Sequence, residues 1–344
     1  MELALDRQLS RFSQKDLRGS IRLGAKTYPL TQARVSLEIF KRLIAGYQGC
    51  LKSRQKSQCL TNFNTLFRES FDVYVPDLKP GDPRYGQDKD SFFTGYHTLT
   101  VTGSLDSRGP FVFPVYGRPH QNSDVMRTRS AIDFQGALQG KGLELFYGKD
   151  LLTLYLLHTE GSGYVRLTNK GVSRDFYVTF AGTNKRPWRW ISTYMKDKGW
   201  ITNTSVAAVR RFLEAHPERH EEIFSFCPGY VYFQLSDQPP LGCDQAVVTD
   251  NRTIATDKEL YAFKGLLAFA SSERPLDTGF YDLDQEDQSK IPFQTFSRFF
   301  LDQDTGGAIK GKGRADIYFG KDAYAQYAAT YQAREGRLFF FMAR

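Results

Sequence analysis

The feature that most limits how this chain can fold is a succession of short aromatic and β-branched runs, each bounded by Gly, Asn or Asp. Between about 104 and 182 they read "FVFPVYG", "LELFYG", "LLTLYLLHT", "GYVRLT" and "DFYVTFAG". Runs of this length and make-up are expected as strands, and short strands at regular spacing indicate a small barrel or sandwich. The same texture returns after 230 in "GYVYFQ", "KGLLAFASS", "FSRFFLDQD", "ADIYFG" and "RLFFFMA". Helices are expected between the two series. "PWRWISTYMKDKG" should begin with Pro187 in its first turn and stop at Gly199. "SVAAVRRFLEAH" puts Val206, Val209, Phe212 and Leu213 on one face behind Ser205 as cap, and "PERHEEIFSF" starts again at Pro217. Nearer the N-terminus, Leu37, Phe40, Leu43 and Ile44 follow helical spacing behind Ser36, the expected cap. The β-α-β alternation of a doubly wound sheet is absent. The fold class is therefore mainly β, with helices in two blocks.

Composition narrows the function classes. A chain of 344 residues that is 41% apolar and 24% charged suits a soluble globular protein of two domains. No apolar run reaches the length of a membrane-spanning helix. The opening "MELALDRQLSRFSQKDLRGS" lacks a basic segment followed by an apolar one, so no signal peptide is expected within this chain. The formal net charge of +8 favours an anionic partner, such as nucleic acid, a membrane surface or an acidic polymer, or else reflects a solvated basic surface. Exposed aromatics among the 28 Phe and 19 Tyr could stack on sugar rings or bases. The cysteines form two local pairs, Cys50 with Cys59 and Cys227 with Cys243. Neither has the spacing of a zinc or redox site. Two small disulfide loops and four thiols both remain open. No metal and no cofactor is expected.

One stretch, "DQDTGGAIKGKGRADIYFG" at 302–320, holds the chemistry and imitates two unrelated motifs. Gly306, Gly311 and Lys312 nearly spell a P-loop, but Gly313 stands where the magnesium-holding hydroxyl belongs, and a strand follows where a helix should open. Asp-Thr-Gly occurs at Asp304 and again at Asp277, like an aspartic-protease dyad. The second copy lies in a polar loop, and 27 residues is too short a separation for two lobes. What survives is a carboxylate pair, Asp304 and Asp316. Asp316 enters an apolar strand, whose walls would raise its pKa, while Lys310, Lys312 and Arg314 would lower it.

The stretch "LDQDTGGAIKGKGRADIYFG" resembles the three-aspartate signature of the membrane-bound lytic murein transglycosylase A family, which cleaves the MurNAc–GlcNAc bond of peptidoglycan. Further segments agree in order: "FFTGYHT" at 92–98, "GALQGKGLELFY", "EGSGYVRL" at 160–167, "FAGTNKRPWRWISTYMKDKG" with "SVAAVRRFLEAHPE", and "GYVYF". The resemblance covers roughly residues 70–344. It implies a double-psi β-barrel with a smaller inserted β-barrel-like domain and a glycan groove between them. The barrel domain would comprise 1–103 and 233–344, and the insert 104–232 with its following helices. By the resemblance Asp316 is catalytic, Asp304 auxiliary, and Asp257 in "TIATDKEL" the third family aspartate. Substrate contacts would fall on Thr94, Gly95, Tyr96, Gly161, Ser162, Gly163, Gly306, Gly307 and Lys310. Two departures concern the barrel rim: "LYAFKG" stands where the family has an Ile-Pro-x-Gly turn, and the C-terminal segment lacks its Ala-Gly pairs.

The implied reaction needs one carboxyl group, because the attacking hydroxyl belongs to the sugar being cleaved. The implied partners are peptidoglycan glycan strands and other cell-wall enzymes, with no nucleic acid, and a monomer is expected. Membrane contact would come through an anchor outside this chain. The implied location is the periplasm or cell envelope. The competing expectation is a non-catalytic β-barrel module that binds glycan or single-stranded nucleic acid.

Overall fold

A computed structural model of the chain describes every residue except 54, 170, 171, 286 and 308. The polypeptide divides into two units, Met1–His97 with Leu241–Arg344, and Thr98–Pro240.

In the first unit six strands close on themselves. The order is Leu266–Pro275, Phe293–Asp304, Thr253–Thr256, Arg314–Tyr318, Ser91–Tyr96 and Ala333–Ala343, which pairs back to Leu266–Pro275. Phe71–Tyr74 adds to the outside of Ala333–Ala343. Two of the pairings are parallel, Thr253–Thr256 with Phe293–Asp304 and Arg314–Tyr318 with Ser91–Tyr96. Closure removes the free edges that an open sheet would present. The inside fills by matching small to large: Ala268 lies opposite Phe300, and all four of Ala268, Ala270, Phe300 and Ala315 are buried. Helices Glu2–Gln14, Thr31–Leu51 and Lys56–Ser70 cover this barrel through Leu5, Phe12, Leu37 and Phe40. The Phe40 ring lies 4.6 Å from that of Phe299.

The second unit holds another six-stranded sheet, ordered Val231–Ser236, Val172–Thr183, Gly163–Asn169, Thr100–Ser104, Glu144–Gly148 and Phe113–Tyr116. A single bridge between Gly117 and Phe233 brings its two ends together, so this sheet is nearly closed. It encloses its own apolar cluster of Val101, Val115, Phe146, Val165, Val178 and Phe233. The mainly β class with helical blocks, a closed barrel and a smaller barrel-like sheet is the architecture expected.

Several local expectations change. "LLTLYLLHT" is not a strand but the helix Leu151–Glu160, capped by Asp150, whose carboxylate accepts from Leu152 N at 3.0 Å and Thr153 N at 3.2 Å. An apolar run buried on all sides carries no period that distinguishes helix from strand, and only the cap marked it. Ser36 does not cap its helix, which begins at Thr31. It is buried in the helix, and its hydroxyl accepts from Ala343 N at 2.8 Å. The helix expected from Pro187 begins only at Ile191. Ser205 does cap Val206–Ala215, accepting from Ala208 N at 3.1 Å. Of the two cysteine pairs, Cys50–Cys59 is a disulfide joining the second and third helices, while Cys227 and Cys243 are thiols. Among the described residues no helix is long and apolar enough to cross a membrane, and no cluster of side chains suits a metal ion.

Candidate active site

The strand Thr253–Thr256 organises the carboxylates. Its Ala255 pairs with Asp304 on one side and with Asp316 on the other. Two aspartates 12 positions apart in the chain thus flank a single residue, with backbones about 10 Å apart at ordinary strand spacing. The turn between them, 305–313, leads into a strand, so it cannot hold a phosphate at a helix N-terminus as a P-loop does. Its Ala308 lies outside the described residues. The other Asp-Thr-Gly aspartate, Asp277, does follow a strand, Leu266–Pro275, but is exposed and accepts from the Tyr281 hydroxyl at 2.6 Å.

Asp316 sits in the middle of Arg314–Tyr318, in parallel register with Thr94. Its Oδ1 accepts from the Thr94 hydroxyl and lies 3.5 Å from the Arg314 guanidinium. Arg314 also donates to Thr94 Oγ1 at 3.1 Å. Arg314 and Asp316 are two apart on one strand, so alternation puts both on the same face. Among the described residues Oδ2 of Asp316 has no partner, and the side chain is 21% exposed. Burial raises the Asp316 pKa above the usual carboxylate range, against the opposing pull of Thr94 and Arg314.

Asp304 is held differently. Oδ1 accepts from Cys243 N at 3.0 Å and Thr305 N at 2.9 Å, and Oδ2 from the Tyr96 hydroxyl at 3.0 Å. Burial also raises its pKa, partly offset by these donors. No hydrogen bond joins Asp304 to Asp316 among the described residues. The contacts of Asp304 are instead backbone amides and Tyr96, whose ring lies 5.1 Å from that of Tyr318. Asp304 therefore has both oxygens occupied, while Asp316 leaves one unengaged among the described residues.

Asp257 follows the central strand and pins the signature turn. It accepts from Gly311 N and Glu259 N, each at 3.0 Å, and lies 3.8 Å from Lys310. These amide donors hold its pKa below the ordinary value. Beneath it, Lys264 and Asp302 form a buried ion pair at 3.1 Å, with Thr256 donating to both Asp302 oxygens at 2.9 Å.

The other expected substrate contacts are scattered. Thr94 touches the reactive carboxylate itself. Gly95 points away from it: a Cβ there would lie 2.5 Å from the Phe319 ring and 3.1 Å from the Ala329 backbone, so the residue packs the barrel. Gly306 lies beside Ile309, Gly307 is exposed with open space around it, and Lys310 is 61% exposed. Gly161, Ser162 and Gly163 belong to the second unit. Gly161 ends the helix Leu151–Glu160 in the left-handed conformation, φ 72°, and Gly163 begins the next strand against Leu157. Cys243 and Arg314 were not expected as site residues. The Arg314 position was legible from strand alternation, whereas nothing local marks Cys243, which arrives from 61 residues away.

Residues 92–234 match the family described as the MltA specific insert domain, and 252–342 match the 3D domain. The chain belongs to the membrane-bound lytic murein transglycosylase A family. The membrane-bound lytic murein transglycosylase A of Vibrio cholerae serotype O1 is 27% identical over 272 residues, 78% of this chain and 68% of that protein. Among solved structures, Escherichia coli MltA with bound chitohexaose aligns at TM-score 0.69 and 21% identity, covering 99% of this chain and 89% of that one. The membrane-bound lytic murein transglycosylase from Agrobacterium tumefaciens aligns at TM-score 0.67 and 20% identity, covering 100% of this chain and 92% of that one. These structures share the fold, and the two matched segments cover most of the second sheet and the stretch that carries Asp257, Asp304 and Asp316.

Proposed function

We propose that this chain is a peptidoglycan lytic transglycosylase. It cleaves the MurNAc–GlcNAc β-1,4 bond without water and leaves 1,6-anhydroMurNAc ends. The observation that carries the reading is the contrast between the two buried carboxyl groups. Burial raises the pKa of both, but Asp304 has donors at both oxygens, whereas Asp316 keeps one oxygen unengaged among the described residues. A general acid needs a proton near neutral pH and an oxygen within reach of the leaving group.

In the proposed reaction Asp316 gives its proton to the glycosidic oxygen as the bond to MurNAc C1 breaks. The carboxylate so formed takes the proton of the C6 hydroxyl on the same MurNAc ring. That oxygen closes on C1 and restores the acid. An intramolecular nucleophile removes the need for the second carboxylate that a hydrolytic glycosidase uses. Thr94 and Arg314 hold Asp316 Oδ1, which leaves Oδ2 to carry the proton. Asp304 orders the backbone at Cys243 and Thr305 and supports the site without transferring a proton. In the barrel unit glycan contacts are assigned to Tyr96, Gly306 and Gly307. The exposed Lys310 ammonium suits a stem-peptide or lactyl carboxylate. Such a substrate places the working enzyme in the cell envelope.

The test is digestion of purified sacculi with mass spectrometry of the products. The wild type is expected to release 1,6-anhydroMurNAc species, and Asp316→Asn to lower the rate by about 10²–10⁴-fold. Reducing-end products in place of anhydro ends, or equal release by the variant, would overturn the reading.

A further inference from the structure

The barrel carries a second cluster of charge that the reaction above does not use. Arg298 lies opposite Ala270, and Arg274 opposite Gln294, on the paired strands Phe293–Asp304 and Leu266–Pro275. Both belong to the alternate positions that carry the buried Ala268, Ala270, Phe296 and Phe300, so each inward-facing row includes an arginine, Arg298 between Phe296 and Phe300 and Arg274 next to the end of its strand. Arg252, just before the central strand, joins them. It donates to Phe299 O, beside Arg298, at 3.1 Å, and Arg274 donates to the side chain of Asn251, beside Arg252, at 2.9 Å. These contacts set Arg252 against the strand that carries Arg298 and Arg274 beside the residue before Arg252, within electrostatic reach of one another, and all three are half-buried.

None of the three has an ion-pair partner among the described residues. The Arg298 side chain makes no hydrogen bond there, and the Nε of Arg274 is buried without an acceptor. The nearby carboxylates are engaged elsewhere. Asp277 takes the Tyr281 hydroxyl, Glu273 pairs with Arg334 at 3.7 Å, and Asp322 caps the helix Ala323–Tyr331. Burial first, then Arg274 and Arg252, pull the Arg298 pKa down to about 10. Like charges brought together and partly desolvated destabilise a fold unless something of opposite sign joins them.

We propose that Arg252, Arg274 and Arg298 form an oxyanion site that binds a phosphate group. A single carboxylate would leave most of the charge uncompensated and offers only two oxygens. A phosphate carries close to two negative charges at neutral pH and three or more acceptor oxygens, which suits several guanidinium forks at once. The site is separate from the reactive carboxylates. Arg298 precedes Asp304 by six residues on one strand, about 20 Å along it.

The experiment is thermal denaturation of the full chain with inorganic phosphate, against sodium chloride at matched ionic strength. In the wild type, phosphate is expected to raise the melting temperature of the barrel unit saturably, by roughly 6 °C at a hundredfold excess over Kd. Arg298→Gln is expected to melt higher than the wild type without phosphate, since a repulsion is removed, and to lose the phosphate response. Arg252→Gln should lose the response too, which guards against a folding defect peculiar to one variant. A co-sedimentation arm with phosphatidic acid vesicles, whose headgroup is a phosphate monoester, distinguishes the source: binding that depends on Arg298 marks a lipid headgroup, and its absence beside an intact phosphate shift marks a soluble phosphate. A wild-type response no larger than that of chloride, or an equal response in Arg298→Gln, would overturn the site.

Discussion

At the scale of single residues, the site is a problem of keeping one carboxyl group protonated without leaving it unsupported. Asp316 has burial pushing its pKa up, and Thr94 and Arg314 pulling it down. Thr94→Val removes a donor to the ionised form, so the Asp316 pKa should rise further. The alkaline limb of the pH–rate profile should move to higher pH, with the acid limb unchanged, and an unmoved profile would refute the contact's role. The same balance has a stability consequence. Because the folded pKa of Asp316 exceeds the ordinary carboxylate value of about 3.9, the native state holds more protons than the unfolded chain between the two values. Stability is therefore lost as pH rises through that window, and Asp316→Asn should recover it. The check is the urea midpoint at neutral pH, expected to be higher for the variant than for the wild type. Asp316 itself was legible in the sequence as a carboxylate entering an apolar strand. The saturation of Asp304 was not, because its donors include the amide of Cys243, brought in by a distant loop.

At the scale of elements, the central strand Thr253–Thr256 converts separation in sequence into adjacency, since each neighbour contributes one aspartate opposite Ala255. The strand carrying Thr94 shows two functions on two faces: Thr94 faces Asp316, and Gly95 faces Phe319 and the helix Ala323–Tyr331. Gly95→Ala should thus act through packing and cost about 1–3 kcal/mol, measured by denaturant unfolding. Loss of activity at unchanged stability would instead make Gly95 a substrate contact. Most strands could be read from short aromatic runs with turn residues at their ends. The helix Leu151–Glu160 could not, because being buried on every side erased the periodicity that separates the two structures.

At the scale of the whole molecule, residues 98–240 form a compact unit of continuous chain, with apolar clusters of its own, between the two halves of the other. Separate cores predict separate cooperative transitions. Calorimetry should give an unfolding enthalpy larger than the van't Hoff value, whereas equality of the two would show one cooperative unit. The sequence alone determined the β-rich class, the place of Asp316 in an apolar strand and the family signature, because strand propensity, turn residues and motif spacing are local properties. Only the tertiary structure decided which carboxylate is engaged and which is open, that Gly95 is packing, and that Arg252, Arg274 and Arg298, distant in the chain, lie on or beside neighbouring strands of the barrel. Those outcomes depend on strand register and barrel closure, and the pairing energy behind them comes from residues far apart along the chain.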